Sequence, residues 1–267
     1  MLKDITLGQF FPGDTVVHRL DPRTKLVLTI VYIVALFIAK GFISYALMIA
    51  VLVAVVAVSK IRPRALFKGM KPLIFIIVFT AILNLFFTGG DPIFEFWIIT
   101  VTREGLRNAV FMVLRITMLV TGTFLLTYTT SPIALTDGLE TLLNPLKKLR
   151  LPIHELAMMM SIALRFIPTL IEETDKIMSA QKARGADFET GSLFDRARAL
   201  LPLMVPLFIS AFRRADELAT AMECRCYHGG EGRTRMKVLR LKRIDGLAFL
   251  WGVVVLGGVI ALAVLGL

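Results

Sequence analysis

Two short segments carry the chemistry that this 267-residue chain offers most openly. One reads Lys182-Ala183-Arg184-Gly185-Ala186 and the other Glu223-Cys224-Arg225-Cys226-Tyr227. Each sets an arginine between two small residues, and the arginines stand 41 residues apart. A guanidinium is a planar fork of five donors, suited to carboxylates and backbone carbonyls. Small neighbours let a partner surface approach the backbone while the fork reaches out. Ala183, Arg184, Gly185, Cys224, Arg225 and Cys226 would then form a two-pronged plug for a groove on another protein. A plainer reading stands beside it, in which each arginine complements a helix dipole and is solvated. The matched pair favours the plug.

Other reactive groups point nowhere as definite. Cys224, Cys226 and His228 are close in sequence. Residues two apart on a helix point about 200° from each other, and a closed zinc site uses four ligands. The cysteines read instead as small thiols at a helix interface in a reducing cytoplasm, and no metal is expected. Met158, Met159 and Met160 read as adaptable packing. The sequence holds no Gly-x-x-x-x-Gly-Lys-Ser/Thr loop, so the chain is not expected to bind ATP, and no cofactor is expected. An intramembrane enzyme is the rival of a different class. Lys182-Ala183-Arg184 lacks the Asp-Gly that opens the motif of lipid head-group transferases. Glutamate-type intramembrane proteases need Glu-Glu-x-x-x-Arg and helical histidines, whereas Glu172-Glu173 is followed by Lys176 and Ile177 and the histidines His18, His154 and His228 lie outside the spans.

The elements that position these segments follow from composition. Hydrophobic residues make up 56% of the chain and charged ones 19%, and the mean hydropathy is +0.74. A soluble chain of this length would have to hide too much apolar surface, and disorder is excluded for the same reason. Most of the surface must face lipid. The net charge of +11 reads as the basic face of a membrane protein, satisfied by anionic lipid, and not as a nucleic-acid site. No cleavable leader is expected in Met1 to Lys25, which carries Asp4, Asp14 and Asp21.

Five apolar stretches approach the length of a spanning helix: Leu26 to Ala39, Phe42 to Val58, Pro72 to Thr88, Gly105 to Tyr128, and Gly246 to Leu267. The first is short, and a re-entrant hairpin with the second is the alternative. Arg115 in the fourth either snorkels to the outer interface or pairs inside the bundle, and its place near the start favours snorkelling. Ile93 to Thr102 reads as a short extended piece at the interface, where Trp97 would be at home. Lys60, Arg62, Arg64, Lys68 and Lys71 crowd one loop without an acid. Arg233, Arg235, Lys237, Arg240, Lys242 and Arg243 precede the last span. This bias places the N-terminus inside and the C-terminus outside a cell membrane.

Residues 131–245 are expected to be a helical cytoplasmic region between spans. Strand alternation is absent there, and three helical pieces are legible. The first starts near Ser131-Pro132. The second runs from about Ile153 to Gly185, with Pro168 as a kink and Gly185 as a C-cap. The third runs from about Leu193 to Tyr227. Both long pieces begin apolar and end charged, each with an arginine in its last turn. The expected fold is an all-α membrane protein: helices 1–4 in residues 1–130, coupling helices in 131–245, and a last span in 246–267.

The residues resemble a known family, the transmembrane T components of energy-coupling factor transporters. The likeness covers nearly the whole chain. It is carried by Pro12-Gly13-Asp14-Thr15-Val16-Val17-His18-Arg19-Leu20-Asp21-Pro22-Arg23-Thr24-Lys25, by Thr127-Tyr128-Thr129-Thr130-Ser131-Pro132, and by Ala163-Leu164-Arg165-Phe166-Ile167-Pro168. Ala183-Arg184-Gly185 matches the family's paired Ala-Arg-Gly motif, whereas Cys224-Arg225-Cys226 keeps only the arginine. The resemblance implies a non-catalytic subunit of an ATP-driven importer of vitamins or other micronutrients. Two cytoplasmic ATP-binding cassette ATPases would bind the two arginine ends, and a small membrane S component would bind the substrate. The opening motif looks more like the shared type, which serves several S components. A component dedicated to cobalt, nickel or biotin is the alternative.

Overall fold

The structure is a computed structural model. It describes residues 10–89, 92–96, 99–149, 152–186, 188, 192, 194, 198–229 and 238–266. The elements run α1 (Val16–Arg19), α2 (Pro22–Ile38), α3 (Phe42–Ser59), α4 (Pro63–Met70), α5 (Ile74–Phe87), β1 (Pro92–Phe96), β2 (Ile99–Thr102), α6 (Arg103–Thr129), α7 (Pro132–Leu143), α8 (Ile153–Ala183), α9 (Leu201–Cys224) and α10 (Arg243–Val264). They divide into two compact units, one of Gly8–Gly138 with Leu239–Leu267 and one built on Leu139–Val238.

Five helical stretches are long and apolar enough to cross a membrane: α3, Pro63–Phe87, α6, α8 and α10. Four of them coincide with stretches read from the sequence. α8 is the addition, since its first half is as apolar as a span. α2 has 17 residues, about 25 Å of helix, short of the roughly 30 Å hydrocarbon core. It is nevertheless a continuous helix against α6 and α10, with Ala35 and Leu36 fully buried. Val53, Phe75, Phe79 and Val253 turn outward and stay exposed, as a lipid-facing surface requires. The expected extended piece after α5 is a two-stranded antiparallel hairpin, with Glu95 opposite Thr100. Trp97 lies outside the described residues.

Small residues allow the close packing around α2. A Cβ on Gly122 of α6 would fall 2.6 Å from the Tyr32 ring, and one on Gly252 of α10 would fall 2.5 Å from Leu28. Membrane helices associate through such close contacts because lipid gives no hydrophobic drive between them. The Tyr32 hydroxyl donates to the Met118 carbonyl of α6 at 3.2 Å. Arg115 pairs inside the bundle, and the expected snorkelling gives way to that. Its Nε donates to the Tyr45 hydroxyl at 2.9 Å and its Nη2 to the Ala39 carbonyl at 3.4 Å. Phe37 and Tyr45 present ring faces to the guanidinium. The physical reason is that α2 ends at Ala39, so a helix-end carbonyl and two rings lie within reach.

At the opposite end of α2 a polar knot joins three helices. Asp21 caps α2, its carboxylate accepting from Arg23 N at 3.0 Å, with Pro22 in the first turn. The Lys25 ammonium is buried. It donates to the Thr129 carbonyl at 2.8 Å, the Thr130 hydroxyl at 3.2 Å and the His18 carbonyl at 3.3 Å. Asp245 of α10, also buried, accepts from the backbone of Asp21 at 2.8 Å and of Lys242 at 2.7 Å. Arg23 Nη2 reaches the Leu239 carbonyl at 3.1 Å. Phe11 N donates to the Tyr128 carbonyl at 3.0 Å.

His18 closes this clasp. Its Nε2–H must donate to the Phe11 carbonyl at 3.1 Å, so Nδ1 accepts from the Thr15 hydroxyl at 2.6 Å. Burial holds this imidazole below its ordinary pKa, and the Lys25 charge pushes the same way. The motifs Pro12–Lys25 and Thr127–Pro132 therefore meet in space. A buried acceptor left without its donor costs about 1–3 kcal/mol, so Lys25→Met should lower stability by at least about 2 kcal/mol. Thermal unfolding of the detergent-solubilised variant beside the parent measures this.

Candidate functional site

The unit built on Leu139–Val238 carries both arginine segments. α8 continues as helix through Pro168 and α9 through Pro206. α9 begins at Leu201, later than Leu193, and Pro202 falls in its first turn, where a missing N–H costs nothing. The two helices pack on each other. Ile162, Phe166 and Leu170 of α8 face Ala211, Ala215 and Ala219 of α9 across a cavity of about 260 Å³. Each set repeats every fourth residue, one turn apart on a single helix face.

The two helix ends share one backbone design. Arg184 terminates α8. The Gly185 N–H returns to the Lys182 carbonyl at 3.0 Å and the Ala186 N–H to the Gln181 carbonyl at 3.0 Å. Arg225 terminates α9. The Cys226 N–H returns to the Glu223 carbonyl at 2.8 Å and the Tyr227 N–H to the Met222 carbonyl at 3.0 Å. Both are Schellman motifs with the arginine at the cap. The residue after the cap must turn left-handed, and φ is +89° at Gly185 and +55° at Cys226. This supplies a second reason for a small residue after each arginine: the motif requires positive φ there, which glycine adopts freely and cysteine with strain.

All six expected coupling residues, Ala183 to Gly185 and Cys224 to Cys226, are exposed. Neither guanidinium has a hydrogen-bond partner among the described residues. Both backbones are locked while both forks remain open to solvent, so each end can receive an acceptor without rebuilding its helix. Cys224 closes α9 and Cys226 lies beyond the cap, so the two thiols occupy different kinds of backbone. His228 Nδ1–H donates to the Cys226 carbonyl at 2.9 Å.

Sequence reasoning passed over one polar cluster. Glu173 of α8 takes the Ser210 hydroxyl on Oε1 and the Arg214 guanidinium on Oε2, both from α9. Glu173 and Arg214 are opposite charges 41 residues apart, and no local spacing marks them as partners. The polar knot around Lys25 and Asp245 was visible only as motif residues and charge count.

Long lipid-facing helices with an internal polar knot define a multi-pass helical membrane protein. The chain belongs to the cobalt transport protein family CbiQ, whose model matches residues 13–236. It is 55% identical over 256 residues to the energy-coupling factor transporter transmembrane protein EcfT of Clostridium kluyveri, covering 95% of each chain. It is 57% identical over 249 residues to the protein of the same name from Thermosediminibacter oceani, covering 93% of this chain and 94% of that one. The Bacillus subtilis protein of that name is 51% identical over 240 residues, 90% of this chain and 91% of its own. The chain is accordingly a membrane subunit of a transporter of this kind, and not itself an enzyme.

The left-handed Cys226 generates a prediction. A non-glycine residue in that region costs about 1–2 kcal/mol, so Cys226→Gly should stabilise the end of α9 by about 1 kcal/mol and leave uptake intact. Slower hydrogen exchange at the last turn of α9 is the expected reading, and Cys226→Val should show the reverse.

Proposed function

We propose that this chain couples two cytoplasmic ATP-binding cassette ATPases to a small membrane S component that binds a vitamin or another micronutrient. The observation that supports this best is the pair of matching helix ends, each presenting an exposed arginine on a locked Schellman turn. One ATPase would receive Arg184 and the other Arg225. A planar fork pairs with carboxylates or carbonyls in a groove more specifically than a point charge does. ATP binding would draw the ATPases together and hydrolysis would release them. The two helices would then change their mutual angle and pass that motion to the S component.

In this reading residues 131–245 are cytoplasmic, the N-terminus is inside and the C-terminus outside. The exposed Lys60, Arg62, Arg64, Lys68 and Lys71 around α4 support that orientation. Cysteine labelling of intact cells should leave the Lys60–Lys71 loop protected and reach the hairpin after α5. Labelling of the loop from outside would reverse the topology.

In this reading the chain is the shared type of T component, serving several S components. The family's description as a cobalt transport protein supports a second reading, a component dedicated to one metal or vitamin. Co-purification from native membranes separates the two, since a shared component should bring down more than one kind of S protein.

Removing one partner of a buried, hydrogen-bonded charge pair costs about 2–5 kcal/mol, a loss of about 30- to 5,000-fold in affinity. Arg184→Ala with Arg225→Ala should therefore abolish uptake and release the ATPases while membrane insertion stays normal. Arg→Lys at both positions should rescue only in part. Vitamin uptake with ATPase pull-down from cells making each variant is the measurement, and normal transport by the double alanine variant would refute the coupling role.

A further inference from the structure

We propose that Glu173, Arg214 and Ser210 form the pivot about which α8 and α9 turn against each other. This rests on the reading that the ATPases hold Arg184 and Arg225. Glu173 lies eleven residues before Arg184, and Arg214 lies eleven before Arg225. Eleven residues are about 16 Å of helix, so the ion pair stands at equal distance from both attachment points. The direction of crossing follows from the cavity. Its α8 lining, Ile162 to Leu170, lies on the N-terminal side of Glu173, while its α9 lining extends C-terminally to Met222. The helices therefore cross in an antiparallel sense, and the two arginine ends lie on opposite sides of the pair. A fixed point between two equal arms is the geometry of a balanced lever.

The chemistry at this point suits a pin more than a glue. Both Glu173 oxygens are engaged, one by Ser210 and one by Arg214, each at 2.5 Å. Ser210 and Arg214 are one turn apart on α9, so the carboxylate is gripped from two successive turns and the register is set. The side chains remain 34% and 23% exposed for Arg214 and Glu173. Water can therefore follow the pair as it turns, and it avoids the cost of a fully buried charge. Beside it lies an unfilled cavity where Ala211, Ala215 and Ala219, with Leu218 and Met222, of α9 face Ile162, Phe166 and Leu170 of α8, so α9 can tilt into space that no side chain fills. A directional bond at one point with free volume beside it favours rotation about that point.

The test uses the assembled complex in vesicles, reading substrate moved, ATP hydrolysed and ATPase retained together. Contacting charged residues couple strongly enough that Glu173→Arg and Arg214→Glu alone should each lower transport per ATP by about tenfold. The ATPases should stay bound, because both arginine ends are intact. The double reversal, Glu173→Arg with Arg214→Glu, should recover most of that loss. If the single reversals fail to insert, Glu173→Gln and Ser210→Ala serve, each with a fall of about threefold and the ATPases retained. Normal transport per ATP in both of these milder variants overturns the pivot, and so does a double reversal no better than the singles. Failure of the attachment reading looks different: the Arg184→Ala, Arg225→Ala variant would keep its ATPases.

Discussion

The Lys25 ammonium sits where α6 ends, and a helix end is the hardest part of a membrane protein to complete. The last carbonyls of a helix have no partner within it, and near the hydrocarbon core water is too scarce to supply one. Lys25 answers this by donating to the Thr129 carbonyl and the Thr130 hydroxyl while reaching back to His18. Asp245 does the complementary work at helix beginnings, accepting from the backbone of Asp21 and Lys242. One buried cation and one buried anion thus fix the start of α2, the end of α6 and the start of α10. Packing along α2, with Gly122 under Tyr32 and Gly252 under Leu28, depends on those ends being in place.

The same principle recurs with a different purpose at the other end of α2 and in the second unit. Arg115 spends its donors on Tyr45 and on the Ala39 carbonyl that closes α2, so it is consumed by structure. Arg184 and Arg225 are spared that duty. Their helix ends are completed by backbone alone, through the Schellman turns, and their exposed guanidinium groups take no hydrogen-bond partner among the described residues. For Arg115, Arg184 and Arg225 the difference lies in whether a side chain or the backbone completes the nearest helix end.

The Glu173 cluster differs in kind from the Lys25 knot. The knot is buried and ties together segments far apart in sequence, which makes it a lock. The Glu173 pair is partly exposed and joins two helices beside an unfilled cavity, which suits it to be a joint.

Composition and apolar run length determined the all-α membrane class, and spacing alone singled out Arg184 and Arg225. These are local properties: a lipid-facing helix must be apolar along its length, and a glycine after an arginine at the end of a periodic run marks a helix end. The hairpin after α5 was legible only as an extended piece, because strand pairing is not local. α8 could not be told from a span, because its first half is as apolar as one. Tertiary structure alone decided the partners of Lys25, Asp245 and Arg115. It also decided that Cys226 turns left-handed at a position glycine would fill more easily, and that Glu173 meets Ser210 and Arg214. A sequence states which side chains seek a partner, but the long-range partners here lie up to 224 residues away, and only the packing of helices brings them within reach.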